Sequence, residues 1–353
     1  MTLLSICYSS FAIEWWEGGN FYQIYPRSFM DSDGNGIGDL QGIKSKVSYL
    51  KELGMDGVWI SPIMKSPMAD YGYDISDYRD IHYEFGTLKD FEALLAECKA
   101  QGIKLILDLV PNHTSDKHDW FKKSERREPG YENYYIWHPG TFDAVTGQRI
   151  PPTNWLSTFR YSAWTWSPIR KQFYFHAFLK EQPDLNYRNR RVVQEMKDVI
   201  LFWLNKGIEG FRIDAVPYMF EVKTDAKGNY PDEIPMDDPN CQNKDDYCYL
   251  KHTYTYDQPE TYDMIFQWRQ LMTDFVKTNG GDTKVIMTEA TTTLDNMIRY
   301  YGDGERNGSN IPFNFELMQY INKESTAKDY KLHIENWIYK VPKGSHANWV
   351  VRY

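Results

Sequence analysis

One arrangement of apolar and polar positions recurs along the chain. An amphipathic stretch, in which apolar residues return every three or four positions, ends at a glycine and is followed by a short apolar run. That spacing predicts a helix, and glycine after the last turn is the usual stop signal. Four such pairs of helix positions and strand segments are present: Ile43, Val47 and Leu50 before 57–62; Phe91, Leu94, Leu95 and Cys98 before 104–111; Val192, Val193, Met196, Val199, Ile200 and Trp203 before 210–217; and Ile265, Trp268, Met272 and Phe275 before 285–290.

Helices that alternate with strands predict parallel βαβ units. The alternation continues too long for a small open sheet, and no Gly-x-Gly-x-x-Gly turn follows the first strand, so an α/β fold of the (β/α)8 TIM barrel type is favoured over a dinucleotide-binding fold. Seven candidate strands begin near these residues: Phe21, Gly57, Lys104, Phe211, Lys284, Pro312 and Asn348. Because the sequence stops at Tyr353, we expect a C-terminally incomplete barrel without an eighth strand or a C-terminal β domain.

Two connections are longer than an ordinary βα loop. Residues 114–183 are rich in Trp, Tyr and Pro and are predicted to form a small insert, domain B, over the mouth of the barrel. Residues 1–113 would form the first part of the barrel and residues 184–353 the second. A second, polar insert, Lys223–Pro259, follows the fourth strand.

Composition and charge narrow the function classes. The 353 residues are 42% hydrophobic and 25% charged, which is typical of a water-soluble globule. A net charge of −9 argues against a nucleic-acid surface. No run of 18 apolar residues exists, so no membrane span is expected. The aromatic content of 16% suits both core packing and a sugar-binding cleft.

Several features favour a secreted protein. Cys241 and Cys248 lie in a polar segment, where a local disulfide and two free surface thiols are the alternatives; a disulfide suits the secretory route. Asn307 begins a sequon in a polar loop and is predicted to be glycosylated. Cys98 lies on an apolar helix stripe and is predicted to be core. The first 12 residues could be a signal-peptide remnant, although their apolar run is short and has no basic residues before it.

An arginine and a carboxylate stand two residues apart in the third of these strand segments. Alternate side chains of a strand face the same way, so Arg212 and Asp214 share one face. A buried charge is costly unless it is paired or used in chemistry, and a purely structural ion pair is the alternative. Barrel active sites lie at the C-terminal strand ends, where Asp108 and Glu289 also lie.

Asp214 and Glu289 end consecutive strands, so their carboxylates can approach each other. Two carboxyl groups about 5–5.5 Å apart are the geometry of a retaining glycosidase, with one nucleophile and one general acid/base. Arg212 would keep Asp214 ionised, whereas Glu289, in an apolar run, could hold a proton at neutral pH. A metal-dependent hydrolase is the competing interpretation; it would require histidines on the strands, and His113 is the only good candidate.

Several motifs, in the same order, resemble those of glycoside hydrolase family 13, the α-amylase family. Within it the sequence is most similar to the oligo-1,6-glucosidase and α-glucosidase branch, and particularly to insect maltases. The segments that carry the resemblance are Asp108–His113, Gly210–Val216 and Thr288–Ala290, which are similar to the family's first three sequence regions, and Gln182–Asn186, Phe21–Ser28 and Ala69–Asp74, which are similar to the branch.

The resemblance implies a retaining α-glucosidase, or maltase, of carbohydrate metabolism that hydrolyses terminal α-1,4-linked glucose from oligosaccharides such as maltose or sucrose. Ala215 and Val216 give a modest lean to the α-1,4 linkage. The implied roles are Asp214 as nucleophile, Glu289 as acid/base, Arg212 as positioner of the nucleophile, Asp70 and His113 as partners of glucose hydroxyls, Tyr73 as a stacking face, and Asp108 as support from the third strand.

A second candidate site is the loop Asp31–Asp39, in which oxygen ligands alternate with glycines. This pattern is typical of a Ca²⁺ loop, and a solvated acidic turn is the alternative. Similar loops in the resembled branch hold one structural Ca²⁺ through these groups: Asp31, Asp33, Asn35, the Ile37 carbonyl and Asp39. No organic cofactor is expected.

The resemblance ends before the family's fourth region, an Asn-His-Asp group that follows the seventh strand. Such a group would bind the 2- and 3-hydroxyls of the glucose in the transition state, where contacts of this kind supply several kcal/mol. Two alternatives to an active enzyme follow. One is a catalytically dead, truncated relative that acts as a carbohydrate-binding or scaffold protein, or as the ectodomain subunit of a transporter. The other is an incomplete gene model or splice form of a normal enzyme.

Overall fold

The computed structural model describes residues 13–350, so the signal-peptide segment predicted within residues 1–12 lies outside the described part. The strands of this part are β1 Phe21–Ile24, β2 Gly57–Ile60, β3 Met64–Lys65, β4 Asp77–Ile81, β5 Lys104–Leu109, β6 Trp137–His138, β7 Thr141–Asp143, β8 Gln148–Ile150, β9 Trp164–Ser167, β10 Gln172–Phe175, β11 Gly210–Ile213, β12 Val285–Thr288 and β13 Ile311–Pro312. Its α-helices are α1 Pro26–Phe29, α2 Leu40–Ser45, α3 Val47–Glu52, α4 Leu88–Ala100, α5 Asp119–Glu125, α6 Arg190–Lys206, α7 Pro259–Asn279, α8 Leu294–Arg299, α9 Glu316–Tyr320 and α10 Ala327–Lys340.

Six strands form one parallel sheet in the order β1-β2-β5-β11-β12-β13. Each strand joins the sheet next to the one before it, and helices lie in the connections, so the predicted barrel architecture is confirmed. The register places Arg212 of β11 beside Asp108 of β5 on one side and Met287 of β12 on the other. The C-terminal ends of these three strands therefore meet at one edge.

The prediction of a seventh strand near Asn348 is wrong as far as the structure describes it: residues Asn348–Val350 form no strand. The Asn348 side chain instead donates a hydrogen bond to the Pro312 carbonyl at 2.7 Å and accepts one from the backbone N–H of Asn314 at 3.2 Å. These contacts occupy, at the end of β13, backbone groups that a neighbouring strand would use.

The helices follow the predicted apolar positions. The first predicted helix is two short helices, α2 and α3, separated at Lys46, whose φ of −110° is not helical. Helix α6 ends at Gly207 with a φ of +104°, the left-handed conformation that glycine adopts without a steric penalty. Its apolar face lies in the main core, where the Trp203 Nε1–H donates to the Tyr78 carbonyl at 2.9 Å. Cys98 is buried, as predicted.

Glycine at the start of β11 lets two central strands approach closely. A Cβ atom added to Gly210 would lie 2.1 Å from the carbonyl oxygen of Val285 on β12, well inside any real contact distance. The strand that carries Arg212 is therefore fixed against β12 by the absence of a side chain at this position.

The two predicted inserts contact each other. Residues 114–183 contain α5, a three-stranded sheet ordered β6-β10-β9 and a hairpin of β7 and β8. The second insert is joined to them by a reciprocal pair of hydrogen bonds: Asn154 Nδ2 donates to the Glu233 carbonyl at 2.9 Å, and the Glu233 N–H donates to Asn154 Oδ1 at 2.8 Å. Cys241 and Cys248 form the predicted disulfide. Between residues 13 and 350, no helix combines the length and apolar character needed to cross a bilayer.

Candidate active site

Three acidic residues lie at the C-terminal ends of neighbouring barrel strands. Asp108 is in β5, and Asp214 and Glu289 directly follow β11 and β12. The Asp214 N–H donates to the Leu109 carbonyl at 2.9 Å, which extends the strand pairing by one residue. The Glu289 N–H donates to the Ile213 carbonyl in the same way, also at 2.9 Å. The two candidate catalytic residues are thus held by the backbone of the sheet.

The guanidinium of Arg212 is the common partner of these carboxylates. Its Nη1 lies 2.9 Å from Asp108 Oδ1 and also binds Asp214 Oδ1. Its Nη2 lies 3.4 Å from Glu289 Oε2. Arg212 is 6% exposed and Asp108 is fully buried. One buried cation therefore serves three carboxyl groups, so the arrangement carries excess negative charge when all three are ionised.

Ala215 turns the chain just after Asp214 and contacts Glu289. It has a φ of +50°, in the left-handed region that residues with a Cβ rarely adopt. Its N–H donates to Glu289 Oε2 at 3.0 Å. The sequence predicted a strand through Pro217, but β11 ends at Ile213 because of this turn. The sequence indicated Ala215 only through the linkage preference that the resemblance implies, and gave no sign of its contact with Glu289.

Burial controls the protonation of the three carboxyl groups. It raises the pKa of Asp108 to about 7, against the lowering effect of Arg212. Burial also raises the pKa of Asp214 above its ordinary value, and Arg212 again opposes it. The prediction that Arg212 keeps Asp214 ionised thus has the right direction for Arg212 but leaves out the opposing effect of burial. Burial raises the pKa of Glu289 as well, and the charge of Asp214 adds to the rise; this is the direction that a general acid needs.

Asp108 lies behind Arg212 and receives two further hydrogen bonds. The Trp59 Nε1–H donates to Asp108 Oδ2 at 3.2 Å, and the Tyr73 hydroxyl donates to the same oxygen at 3.3 Å. The Trp59 ring also lies under the Arg212 guanidinium, 4.9 Å from centroid to Cζ. Trp59 escaped the sequence analysis because nothing in its strand distinguishes it from a core tryptophan.

A second polar group stands opposite the carboxylates. Gln182 Nε2 donates to Asp70 Oδ2 at 2.8 Å and lies 3.0 Å from His113 Nε2. Burial lowers the pKa of His113 to about 4, so the imidazole is neutral at neutral pH. Burial raises the pKa of Asp70. The fully buried Gln182 thus links the two predicted hydroxyl-binding residues; the sequence indicated it only as part of a motif.

These groups surround a cavity of about 410 Å³. The predicted site residues that line it are Asp70, Tyr73, His113, Arg212, Asp214 and Glu289. Its outer rim is formed by Thr158, Phe159, Phe178 and Tyr218. The Phe178 ring lies 5.1 Å from that of His113 and 4.9 Å from that of Tyr218. The sequence signalled these rim aromatics only through the aromatic-rich composition of the insert.

The predicted metal loop brings its acidic side chains together. One carboxylate oxygen each from Asp31, Asp33 and Asp39 lies within 4.8 Å of the others. The Gly36 N–H donates to Asp31 at 2.7 Å, and hydrogen bonds of this kind lower the pKa of Asp31. Asp39 also caps α2, because its carboxylate accepts the Gly42 N–H at 2.7 Å. This set of clustered oxygen donors fits a hard divalent cation.

The predicted glycosylation site lies on the surface. Asn307 is exposed and forms an isolated antiparallel bridge with Gly302. The Ser309 hydroxyl of the same sequon is buried and donates to the Ile286 carbonyl at 2.9 Å. Glycosylation itself stays a prediction.

Comparisons with known proteins give consistent relatives. The family model described as "Alpha amylase, catalytic domain" matches residues 23–352. Maltase A1 of Drosophila melanogaster is 56% identical over 341 residues, which cover 96% of this chain and 59% of the relative. Salivary alpha-glucosidase of Anopheles gambiae is 54% identical over 338 residues, 96% of this chain and 56% of the relative. The crystal structure of the alpha-glucosyl transfer enzyme XgtA has a TM-score of 0.81 at 36% identity and covers 94% of this chain and 60% of that one. The chain thus spans somewhat more than half the length of the relatives it matches.

Proposed function

The chain belongs to the α-amylase catalytic-domain family, and from that premise we propose that it is a retaining α-glucosidase of the maltase type. It removes terminal α-1,4-linked glucose from the non-reducing end of oligosaccharides such as maltose or sucrose. The observation that carries this proposal is the shared contact of Arg212 with Asp214 and Glu289 at the floor of a cavity of about 410 Å³.

Asp214 acts as the nucleophile and Glu289 as the acid/base. The Asp214 carboxylate attacks the anomeric carbon while the bond to the leaving oxygen breaks and Glu289 gives that oxygen its proton. This step leaves glucose bound covalently to Asp214. Glu289 then takes a proton from water, the water oxygen attacks the anomeric carbon, and Asp214 is released as the carboxylate.

The position of Arg212 supports this division of roles. Its Nη1 binds Asp214 directly, whereas its Nη2 is 3.4 Å from Glu289. A nearby cation favours the ionised form of a carboxyl group, and the effect weakens with distance. Arg212 opposes the rise in pKa at both Asp214 and Glu289, and its contact with Glu289 is the more distant one. Of these two residues, Glu289 is therefore expected to hold the proton, which leaves Asp214 as the anion.

The polar group opposite the carboxylates binds the glucose unit. Asp70 and the neutral His113 exchange hydrogen bonds with its hydroxyls, and Gln182 fixes both of them in place. Tyr73 offers its ring to the sugar face, and its hydroxyl holds Asp108 behind the site. The rim residues, including Phe159 and Tyr218, accommodate the second sugar unit or another leaving group.

The remaining assignments complete the proposal. Asp31, Asp33, Asn35, Asp39 and the Ile37 carbonyl hold one structural Ca²⁺, which ties the loop to the start of α2. The protein is secreted and carries a glycan on Asn307. Residues 114–183 act as domain B over a barrel formed by residues 1–113 and 184–353.

The test is hydrolysis of p-nitrophenyl α-glucoside and maltose by the wild type and by the variants Asp214→Asn and Glu289→Gln. Each variant is expected to lose at least about 1,000-fold in kcat, because each removes one chemical step. Asp263→Asn, on an exposed ion pair of α7, is the control and should keep wild-type rates. Activity that survives Asp214→Asn contradicts the mechanism. A wild type that binds maltose without cleaving it supports the alternative, a carbohydrate-binding relative.

A further inference from the structure

The rim of the cavity includes a short segment, residues 157–161, in an unusual conformation. Thr158 and Phe159 line the cavity, and Phe159 is half exposed there. The next two residues, Arg160 and Tyr161, have φ values of +82° and +63°. Two successive residues with a Cβ in the left-handed region are strained, and such a conformation persists only where the surroundings hold it.

Contacts within domain B hold the first half of this rim segment. The Ser157 hydroxyl donates to the Phe178 carbonyl at 2.7 Å and accepts the Phe159 N–H at 3.1 Å. The Thr158 N–H donates to the Ala177 carbonyl at 2.9 Å. Backbone bonds within the segment add to these: the Arg160 N–H donates to the Ser157 carbonyl at 3.0 Å, and the Ser157 N–H donates to the Tyr161 carbonyl at 2.9 Å.

Arg160 and Tyr161, in the second half of the rim segment, are also bonded to the other insert. The Tyr161 N–H donates to the Asp245 carbonyl at 2.8 Å. Arg160 Nε lies 2.6 Å from Asp246 Oδ1. Asp245 and Asp246 both lie inside the ring that the Cys241–Cys248 disulfide closes. A small cross-linked ring therefore supports the two strained residues.

From these contacts we infer that the Cys241–Cys248 ring is a specificity-determining positioning element of the active site. Through Asp245 and Asp246 it keeps Arg160 and Tyr161 in their strained conformation, and so keeps Phe159 at the rim. The catalytic carboxylates are held by barrel strands instead. The inference rests on the proposed function: the ring governs recognition of the sugar unit beyond the terminal glucose and leaves the chemical steps unchanged.

The disulfide ring should contribute more to the position of the rim segment than the Arg160–Asp246 ion pair does. The side chains of Arg160 and Asp246 are 48% and 38% exposed, and exposed pairs contribute little. The hydrogen bond from the Tyr161 N–H needs only the Asp245 backbone, whose position depends on the closed ring. A disulfide restricts the conformations open to the loop it closes. Reduction of Cys241–Cys248 should therefore release the rim segment more than loss of the Asp246 side chain does.

The test compares the Cys241→Ser/Cys248→Ser double variant, Asp246→Ala and the control Asp263→Ala, which removes an exposed aspartate paired with Arg306 at 2.8 Å. The double variant should raise KM for maltose about tenfold and Asp246→Ala about threefold, with kcat and the inhibition constant of glucose unchanged. Amide hydrogen exchange of residues 159–161 should be at least about tenfold faster in the double variant. The control should match the wild type in all three measurements.

Unchanged exchange at residues 159–161 in both variants overturns the inference, as does a loss of kcat or glucose binding that parallels the change in KM. If the double variant does not fold, the KM of Asp246→Ala for maltose and its amide hydrogen exchange at residues 159–161 decide whether the inference holds. If the wild type does not hydrolyse maltose, the proposed function fails. Exchange at residues 159–161 in the oxidised and the reduced wild type still decides whether the ring holds the rim.

Discussion

Nη2 of Arg212 lies 3.4 Å from Oε2 of Glu289, although the two residues come from different strands. The same guanidinium binds Asp214 through Nη1. The register of the sheet produces this relationship, because β11 and β12 are paired in parallel and both carboxyl groups directly follow their strands. A single buried cation thus sets the charge balance between the proposed nucleophile and the proposed acid/base.

Replacement of Arg212 by lysine tests this shared contact. Lysine keeps the charge but concentrates it on one ammonium group, which cannot reproduce a planar fork that reaches several carboxylates at once. We expect Arg212→Lys to lower kcat by at least about 100-fold, the scale of losing one positioned charge-stabilising donor. The measurement is steady-state kinetics on p-nitrophenyl α-glucoside. Arg306→Lys, on an exposed pair, is the control. A kcat within a few-fold of the wild type would show that the fork is dispensable.

The left-handed turn at Ala215 gives a second prediction. Glycine adopts a φ of +50° without strain, so Ala215→Gly should retain both kcat and stability. Valine is β-branched, and Ala215→Val should cost roughly 1–3 kcal/mol of unfolding free energy. It should also lower kcat, because the N–H that Ala215 donates to Glu289 would move. Urea unfolding and steady-state rates check both variants. Equal stability and equal kcat in Ala215→Gly and Ala215→Val would show that the left-handed turn has no role in the site.

The buried His113 predicts a loss of stability in acid. Burial lowers its pKa from 6.5 to about 4, so the folded state holds fewer protons than the unfolded state between these values. The neutral imidazole therefore contributes stability above pH 6.5, and this contribution disappears as the pH falls through about 4. Its size is roughly 3 kcal/mol at 1.36 kcal/mol per unit. Urea unfolding between pH 7 and pH 4 measures it, and His113→Gln should flatten the curve. An identical pH dependence in the variant would contradict the prediction.

The parts of the fold that follow from a short-range pattern of apolar positions were predictable from the sequence. Helix positions every three or four residues identify α4, α6 and α7, and the glycine after α6 has the expected left-handed conformation. The strand-end carboxylates were predictable too, because parallel strands bring their C-terminal ends to one edge.

The rest of the site depends on contacts between residues far apart in the sequence. Gln182, which links Asp70 to His113, lies 112 residues from the first and 69 from the second. The rim segment likewise bonds the distant second insert through Arg160 and Tyr161. The left-handed conformation of Ala215 accompanies the hydrogen bond from its N–H to Glu289, 74 residues away, which no local pattern encodes. The apolar residues near Asn348 likewise fit a strand, but the Asn348 side chain donates a hydrogen bond to the Pro312 carbonyl at the end of β13.

Metal removal tests the acidic loop. If Asp31, Asp33 and Asp39 hold Ca²⁺, a chelator should lower the unfolding temperature of the wild type, and added Ca²⁺ should restore it, because a bound ion stabilises only the folded state. Asp33→Ala should show no response to either treatment, whereas Glu324→Ala, an exposed acidic control, should respond like the wild type. Calorimetry with Ca²⁺ provides an independent readout. Equal Ca²⁺ binding by the wild type and Asp33→Ala would contradict the assignment of this loop as a Ca²⁺ site.

The most direct test of the central claim is to trap the covalent intermediate with 5-fluoro-α-glucosyl fluoride. This reagent slows the breakdown of the glucosyl-enzyme, so the label can be located by mass spectrometry of peptic fragments. The account predicts one 5-fluoroglucosyl group on the peptide that contains Asp214 and none on the peptide that contains Glu289. A label on another carboxylate, or turnover of maltose by a protein that never accumulates a label on Asp214, would contradict it.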